Sequence, residues 1–323
     1  MPLNKKFTVG GLFAGVGGIE AGFEKAGFEI SWANEIDSYA CKTYRLNHPN
    51  HHLIEEDMHK LNPKKLKPVD VLTGGFPCQA FSVAGYRKGF KDPRGNLFFE
   101  IARFIDGLKA KPKALMLENV KNLSGHDNGR TQKIIKKILK DFGYYIHWQV
   151  YNTYKYTDIP QNRERTIIVC FRSKKSYSYF LNHPIQKTSA LRPIASMLEK
   201  KKIDERYYYF QDSQYYQMFK KEIKNRNTLY QLRRIYVREN KNNLCPTLTA
   251  NMGTGGHNVP LLLDDVGIRK LTTKECFNFQ GFKKIKFPKD VPSTQLYKQA
   301  GNSVTVSLIK KIAINIKSSI INS

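Results

Sequence analysis

The spacing of apolar residues along the chain predicts its elements. Four short apolar runs in the first half have the length of buried strands, at residues 7–12, 29–34, 69–74 and 114–118. Residues 19–26 and 131–142 instead place apolar side chains at helical spacing, and Gly143 follows the second segment as a C-terminal cap. Strands that alternate with helices predict an α/β fold, a Rossmann-like, mostly parallel sheet with helices on both faces.

The second half of the chain follows a different pattern. A strand is predicted at residues 166–171, after which Tyr, Lys, Asn and Gln dominate with little periodicity until about residue 260. Apolar residues then recur at helical intervals over residues 302–316, which predicts a helix that returns to cover the first domain. We therefore expect a large domain from residues 1–180 and 298–323 and a smaller one from residues 181–297.

The net charge favours a polyanionic partner. Lys and Arg number 54 against 27 for Asp and Glu, which gives a formal charge of +27. Each phosphate that a basic side chain neutralises releases condensed counterions, so this charge favours nucleic acid as the partner. Charge alone does not say which side chains make the contacts.

The cysteines and the lengths of the apolar runs exclude several protein classes. Cys41, Cys78, Cys170, Cys245 and Cys276 are odd in number and contain no C-x-x-C pair, so neither a disulfide framework nor a cysteine zinc site is predicted. No apolar run approaches the roughly 18 residues that cross a bilayer, and no signal-peptide core precedes the first strand. We expect a soluble, intracellular protein.

A glycine-rich segment joins the first predicted strand to the first predicted helix. Its sequence, Phe13-Ala14-Gly15-Val16-Gly17-Gly18, lets backbone approach a ligand near a helix N-terminus. A dinucleotide fingerprint would require glycine at position 20, where Glu20 stands, so a pyrophosphate site is disfavoured. Glu35 ends the second strand, where a carboxylate accepts from ribose hydroxyls, and Asp57 is placed to accept from an adenine amino group. Taken by itself, Asp57 fits a helix or turn cap better. The pattern favours a nucleoside cofactor.

Three polar segments fall at the ends of predicted strands. Gly74-Gly75-Phe76-Pro77-Cys78-Gln79 follows one strand, so Cys78 emerges at the carboxyl edge of the sheet, where open α/β folds bind ligands. Glu118-Asn119-Val120 ends the next strand, and Gln161-Asn162-Arg163-Glu164-Arg165 precedes another. Buried cysteines usually serve only packing, but a cysteine at such an edge is placed for chemistry, and the carboxylate and arginines that converge on the same edge favour a nucleophile.

In this order along the chain, the segments resemble the signature blocks of bacterial cytosine-5 DNA methyltransferases, the small single-chain type of restriction–modification systems. The glycine-rich loop resembles the first block, and the segments around Cys78, Glu118 and Arg163 resemble the next ones. The last two blocks are represented by Arg269, Glu275 and Gln280-Gly281-Phe282, followed by Gly301-Asn302-Ser303-Val304. The resemblance covers nearly the whole chain. It implies a catalytic, S-adenosylmethionine-binding domain (1–180 and 298–323) and a target-recognition domain (181–297).

The resemblance implies a covalent mechanism centred on Cys78. Carbon 5 of cytosine is a poor nucleophile until a thiolate adds at carbon 6, and Cys78 would supply that thiolate. Glu118 would hold or protonate ring nitrogen 3, while Arg163 and Arg165 would orient the base and phosphate and favour the thiolate. No residue in the sequence identifies itself as the base that removes the proton from carbon 5, and a water molecule is the alternative.

The resemblance also implies that the cofactor is S-adenosyl-L-methionine, with S-adenosyl-L-homocysteine as product, and that no metal takes part. Some relatives place tryptophan after the acid at position 35 to stack on adenine, whereas Ile36 stands here, so plain apolar contact would replace stacking. The residues implied to line this site are Phe13, Gly15, Gly17, Gly18, Glu35, Ile36, Asp57, Met58, Pro77, Leu97, Asn302, Ser303 and Val304.

Double-stranded DNA is the partner that the resemblance implies. The cytosine must leave the stack before carbon 6 can be attacked, at a cost of roughly a few kcal/mol. Gln231, in a segment like the recognition loop of the smallest family members, would fill the vacancy and pair with the orphan guanine. Arg234 would bind guanine bidentately, and Thr247 matches a threonine of the second recognition loop. We expect a cytoplasmic monomer associated with the nucleoid through DNA, beside a restriction endonuclease that acts separately.

Two other functions stay open from the sequence. Methylation of structured RNA such as transfer RNA would use the same chemistry, and a non-catalytic DNA-binding relative would keep the fold, although the intact Cys78 and Glu118 argue against the second. A zinc-dependent cytosine deaminase is excluded. It requires an H-x-E segment, which does not occur, and P-C-x-x-C, where Phe81 replaces the second cysteine.

Overall fold

A computed structural model describes residues 6–76, 97–188, 190–254 and 258–323. The strands in chain order are β1 (Thr8–Leu12), β2 (Glu29–Glu35), β3 (Leu53–Glu55), β4 (Val71–Gly75), β5 (Ala114–Val120), β6 (Tyr145–Asn152), β7 (Glu164–Phe171), β8 (Tyr230–Arg233), β9 (Tyr236–Glu239), β10 (Leu261–Leu263) and β11 (Ile268–Lys270). The helices are α1 (Gly18–Lys25), α2 (Ser38–Asn47), α3 (Leu97–Gly107), α4 (Arg130–Asp141), α5 (Thr153–Tyr156), α6 (Lys174–Asn182), α7 (Tyr216–Glu222), α8 (Thr273–Phe279), α9 (Ser293–Asn302) and α10 (Val306–Ile321).

The chain divides into two compact units. The first comprises Met1–Tyr151, Glu164–Gln186 and Leu308–Ser323, and the second comprises Asn152–Arg163 and Lys187–Ser307. These bounds differ from the predicted domains in three segments: residues 152–163 and 298–307 lie in the second unit, and residues 181–186 lie in the first. The roles assigned to the two domains stay predictions.

The larger sheet belongs to the first unit and has the strand order β3-β2-β1-β4-β5-β7-β6. Neighbouring strands from β3 to β5 pair in parallel, whereas β7 is antiparallel to β5. The predicted mostly parallel α/β sheet is therefore confirmed. The strand order reverses between β1 and β4, and open α/β sheets bind ligands beyond the carboxyl ends of strands at such a point.

Helices cover both faces of this sheet. Successive side chains of a strand point to opposite faces, so neighbouring residues of one strand pack against different helices. In β2, Trp32 packs against Phe104 of α3 on one face, whereas the neighbouring Ala33 packs with Tyr44 of α2 on the other. Strands buried on both faces read as continuous apolar runs, which is why the sequence predicts them well.

The second unit contains a smaller antiparallel sheet in the order β11-β10-β8-β9. Tyr230, Leu232 and Ile268 of this sheet pack with Phe219 of α7 in a buried cluster. The second unit therefore has a hydrophobic core of its own, although its sequence shows little periodicity.

A buried ion-pair network lies beside this sheet. Arg269, only 2% exposed, donates two hydrogen bonds to Glu275, at 2.8 and 2.9 Å, and a third to Asp264 at 2.6 Å. Glu275 also accepts from the Thr272 amide at 2.8 Å, and its own amide donates to the Thr272 hydroxyl, so the pair forms a capping box at the start of α8. Burial would lower the pKa of Arg269, but the hydrogen bonds and charge of Glu275 and Asp264 outweigh it and raise that pKa.

The prediction for the C-terminal segment is partly wrong. Residues 302–316 do not form one helix, since α9 ends at Asn302 and α10 begins at Val306. The carbonyl oxygens of Gly301 and Ser303 accept from Arg163, and the Val306 amide donates to Gln280, so these backbone groups are bonded outside any helix. The segment does cover the first unit, because α10 packs against α1, where Ile309 contacts Gly22.

Within the described residues, no helix is both long and apolar enough to cross a membrane.

Candidate active site

The glycine-rich loop leaves β1 at the switch point in a strained backbone. Phe13, Gly15 and Gly17 all have positive φ, at 55°, 56° and 85°. The loop is tied to the end of β2, because the Ala14 amide donates to the Asn34 carbonyl and the Gly15 amide donates to Glu35 Oε2 at 2.7 Å. Gly18 then begins α1. Among the described residues, no atom lies within 4 Å of where a Cβ would stand at Gly15, so that part of the structure leaves room for a ligand there.

Glu35 organises the turn that follows β2. Its Oε1 accepts from the amides of Ile36 and Asp37 at 2.8 and 2.9 Å, while Oε2 holds Gly15. An ionised carboxylate offers about four acceptor positions, so capacity for a further hydrogen bond remains. The Ile36 side chain is 62% exposed.

The segment after β3 presents Asp57. Asp57 Oδ1 accepts from the His59 backbone and ring at 3.0 and 2.8 Å, and these hydrogen bonds, the backbone one foremost, lower the pKa of Asp57. The next residue, Met58, is buried, and its carbonyl accepts from Arg103 of α3 at 2.9 Å. Half-buried Leu97 begins the same helix. Met58 is thus held in place by α3.

The carboxyl edge of β5 carries a buried ion pair. Arg165 Nε lies 2.9 Å from Glu118 Oε1, with the side chains only 13% and 11% exposed. Glu118 Oε2 lies 3.4 Å from where a Cβ would stand at Gly75, the last residue of β4. Burial lowers the pKa of Arg165, but Glu118 opposes the shift and arginine stays cationic in proteins. The structure therefore places a charged pair beside the strand that leads to Cys78.

Asn119, next to Glu118, fixes the backbone that enters the cysteine segment. Its side-chain amide donates to the Phe76 carbonyl at 2.8 Å, and its oxygen accepts from the Val120 amide. Pro77 and Cys78 themselves lie outside the described residues. The sequence motif includes Asn119 but does not indicate that its side chain makes these two hydrogen bonds.

Arg163 lies in the second unit and is 1% exposed. Its guanidinium donates to the carbonyl oxygens of Leu248, at 2.7 Å, Gly301, at 2.9 Å, and Ser303. It therefore holds two chain segments together, and its predicted contact with the substrate stays a prediction. Of the residues in the predicted cofactor set, Ser303 and Val304 are buried and Asn302 is exposed. Ser303 Oγ is buried with no hydrogen-bond partner among the described residues.

The predicted DNA-binding residues Gln231 and Arg234 lie on one hairpin. β8 and β9 are joined by a two-residue turn, Arg234 and Ile235. Both residues are exposed, Ile235 by 88%, and Arg234 has a positive φ of 43°. Gln231 lies back along β8, where its side-chain oxygen accepts from Arg238 at 2.6 Å and from Arg233 at 3.1 Å. Thr247 belongs to a different segment, and its hydroxyl donates to the Asn162 carbonyl at 2.6 Å.

Glu20 is a residue whose environment the sequence did not predict. It is fully buried in the first turn of α1, neither carboxyl oxygen has a hydrogen-bond partner within the described residues, and burial raises its pKa to about 8. The carboxyl group is therefore mostly neutral at pH 7. The only signal in the sequence was an acid on the helix face that carries Ile19 and Phe23.

Comparison with known proteins decides the family. The model of the C-5 cytosine-specific DNA methylase family matches residues 7–318. The chain belongs to this family. It is therefore a DNA cytosine-5 methyltransferase, and its methyl donor is S-adenosylmethionine, as throughout the family.

Curated relatives match the methylase over almost its whole length. It is 50% identical to the type II methyltransferase M.Bsp6I of Bacillus sp. strain RFL6, over 97% of this chain and 99% of the relative. It is 36% identical to the type II methyltransferase M.HhaI of Haemophilus parahaemolyticus, over 96% and 94%. The crystal structure of S. pombe Dnmt2 superposes with a TM-score of 0.73 over 98% of this chain and 99% of that one, but at 16% identity it shows the fold alone.

Proposed function

We propose that this methylase modifies carbon 5 of a cytosine flipped out of a short duplex sequence, and that it protects host DNA in a restriction–modification system. The observation that carries the proposal is the buried Glu118–Arg165 pair beside the end of β4, three residues before Cys78. The type II relatives support the restriction–modification context.

The proposed reaction begins when the Cys78 thiolate forms a bond to carbon 6 of the cytosine. The electron pair moves toward ring nitrogen 3 and carbon 5, and Glu118, which takes up a proton from solvent when the base binds, donates that proton or a hydrogen bond from it to nitrogen 3. Carbon 5 then bonds to the methyl group, which S-adenosylmethionine would supply as an electrophile when bound, with S-adenosylhomocysteine as the leaving product. A base, with water as the candidate, removes the proton from carbon 5. The electron pair of the carbon–hydrogen bond forms the double bond between carbons 5 and 6, the carbon–sulfur bond breaks to release the thiolate, and Glu118 takes back the proton of nitrogen 3.

Arg165 has a positioning role in this scheme. Its guanidinium binds Glu118 Oε1, and Glu118 Oε2 lies next to Gly75. A cation at this place also favours the Cys78 thiolate. Arg163 would act on the substrate through the segments that its three hydrogen bonds hold together.

The residues present fit the methyl donor. Glu35 retains acceptor capacity for ribose hydroxyls, Asp57 keeps a second carboxyl oxygen for an amino group, and Ile36 offers exposed apolar surface. The open space at Gly15, among the described residues, is a further feature that a ligand would fill. Phe13, Gly17, Gly18, Met58, Pro77, Leu97, Asn302, Ser303 and Val304 complete the proposed set.

Transfer of labelled methyl groups tests this function against its alternative. We expect the purified chain to label duplex DNA and not transfer RNA, and the Cys78→Ala variant to label neither, because the thiolate is required for addition. Labelled RNA with unlabelled DNA, or undiminished labelling by Cys78→Ala, would contradict the proposal. Sequencing the methylated plasmid identifies the recognition site.

The β8–β9 hairpin is the proposed reader of that site, with Gln231 and Thr247 as further contacts. Arg234→Ala should reduce the ratio of kcat/KM for cognate over one-base-altered DNA about 5- to 150-fold, because a bidentate contact to guanine discriminates by that amount. Arg226→Ala is the control, since Arg226 is an exposed arginine of the same unit that pairs with Asp265. Equal losses on both DNAs would make Arg234 a phosphate contact instead.

The finer features of the partners are also proposals. The second unit would be the target-recognition domain, the chain would act as a nucleoid-associated monomer, and a cognate endonuclease would act separately. Sedimentation of the chain with and without duplex DNA checks the monomer, and a dimer in either state would contradict it.

A further inference from the structure

Three side chains that the methylation reaction does not use meet on the α1–α2 side of the first unit. They are Glu24 of α1, His48 immediately after α2, and His51 in the turn before β3. One potential ligand atom from each lies within 4.8 Å of the other two. Glu24 Oε1 and His51 Nε2 are 3.5 Å apart, and the two imidazole rings stack with centroids 4.9 Å apart.

The His51 imidazole is held as metal-binding histidines usually are. The Tyr44 hydroxyl lies 3.0 Å from His51 Nδ1, so it fixes the ring and leaves Nε2 facing Glu24. Tyr44 is fully buried and packed against both rings. Metal-bound histidines commonly use their second nitrogen in such a hydrogen bond. His48 Nε2 is buried and has no hydrogen-bond partner of good geometry among the described residues.

We propose that Glu24, His48 and His51 bind one divalent transition-metal ion, with Zn²⁺ as the best match. Two imidazoles and one carboxylate are ligands that zinc accepts at about 2.0–2.2 Å, with a water molecule in the fourth position. The Glu24 side chain is 57% exposed and can move toward an ion, while the histidines are mostly enclosed. The ion would join α1 to the end of α2.

The site is close to the glycine-rich loop. A side chain at Gly17 would collide with the His48 ring and touch Tyr44, so the last glycine before α1 lies directly against the proposed ligands. The proposed metal site is thus separate from Glu35, the carboxylate proposed to bind the methyl donor, but it contacts the glycine-rich loop. Its role would be to stabilise the fold around that loop, since an ion that binds only the native state raises stability.

Binding of Zn²⁺ to the untagged, metal-depleted full chain tests the proposal, by titration calorimetry and by the shift in Tm. We expect one ion per chain, with affinity lowered at least about tenfold in Glu24→Gln and His51→Gln and about tenfold in Tyr44→Phe. The matched controls are Glu29→Gln and His52→Gln, exposed neighbours outside the cluster, which should bind as the unaltered chain does.

Absorption of the Co²⁺-loaded chain provides a second readout. Nitrogen and oxygen ligands should give tetrahedral cobalt bands without the thiolate charge-transfer absorption that cysteine ligands produce. No binding at millimolar Zn²⁺, equal binding by all variants, or cobalt–thiolate absorption would each overturn the proposal. Glu24→Gln keeps the test valid should His51→Gln fail to fold, because the Glu24 side chain is exposed.

Discussion

Glu118→Gln should lower kcat by about 10²- to 10⁴-fold while leaving DNA affinity nearly unchanged. The amide keeps the size of the carboxyl group but cannot deliver a proton to ring nitrogen 3 or take one back. It also loses the charge that pairs with Arg165 across 2.9 Å. Single-turnover methylation and equilibrium DNA binding, measured on the same preparation, separate the two effects.

A second carboxylate provides the control for this experiment. Glu164 pairs with Lys121 at 2.8 Å on the surface, one residue from Arg165, and is 38% exposed. Glu164→Gln should leave kcat within about twofold, because exposed ion pairs contribute little. Equal losses of turnover and DNA affinity in Glu118→Gln would mean that Glu118 supports the fold or the DNA contact rather than the chemistry.

Arg269→Met should lower the free energy of unfolding of the second unit by about 3–5 kcal/mol. Methionine has a similar volume but leaves the buried Glu275 and the half-buried Asp264 without their cation. Burial would raise the pKa of Asp264, and its hydrogen bonds, that from Arg269 foremost, now keep it low. The midpoint of urea denaturation, followed with hydrogen exchange of the α8 amides, measures the loss.

Arg226→Met is the matched control for this change. Arg226 pairs with Asp265, the neighbour of Asp264, but its side chain is 57% exposed and Asp265 is 96% exposed. We expect no shift in the denaturation midpoint beyond the scatter of the measurement. A small loss of unfolding free energy in Arg269→Met would show that the capping box of Thr272 and Glu275 keeps Glu275 in place without the arginine.

The sequence predicted those parts of the fold whose signals are local. β1, β4 and β5 lie in mostly apolar runs bounded by glycine or polar residues, and the helix predicted over residues 131–142 is α4 (Arg130–Asp141), after which Gly143 has a φ of 82°. The break between α9 and α10 was missed because its cause is distant. Arg163, about 140 residues earlier, donates a hydrogen bond to the carbonyl oxygen of Ser303. No local pattern records such a bond.

The chemistry of the site was predictable to a similar degree. The ordered motifs named Glu118 and Arg165, and the structure brings these two together as an ion pair. The cluster of Glu24, His48 and His51 was not predicted, since two histidines three residues apart and a glutamate on another helix form no known motif. The β8–β9 hairpin was equally hidden, because its two-residue turn uses Arg234 and Ile235 rather than asparagine and glycine.

Covalent trapping on duplex DNA that carries 5-fluorocytosine at the target position tests the central claim most directly. Fluorine cannot leave carbon 5 as a proton, so the enzyme should stay bonded to carbon 6 after methyl transfer. Peptide mass spectrometry should find the DNA adduct on Cys78, formed only when S-adenosylmethionine is present. An adduct on another residue, or methyl transfer that leaves only free DNA, would contradict the mechanism.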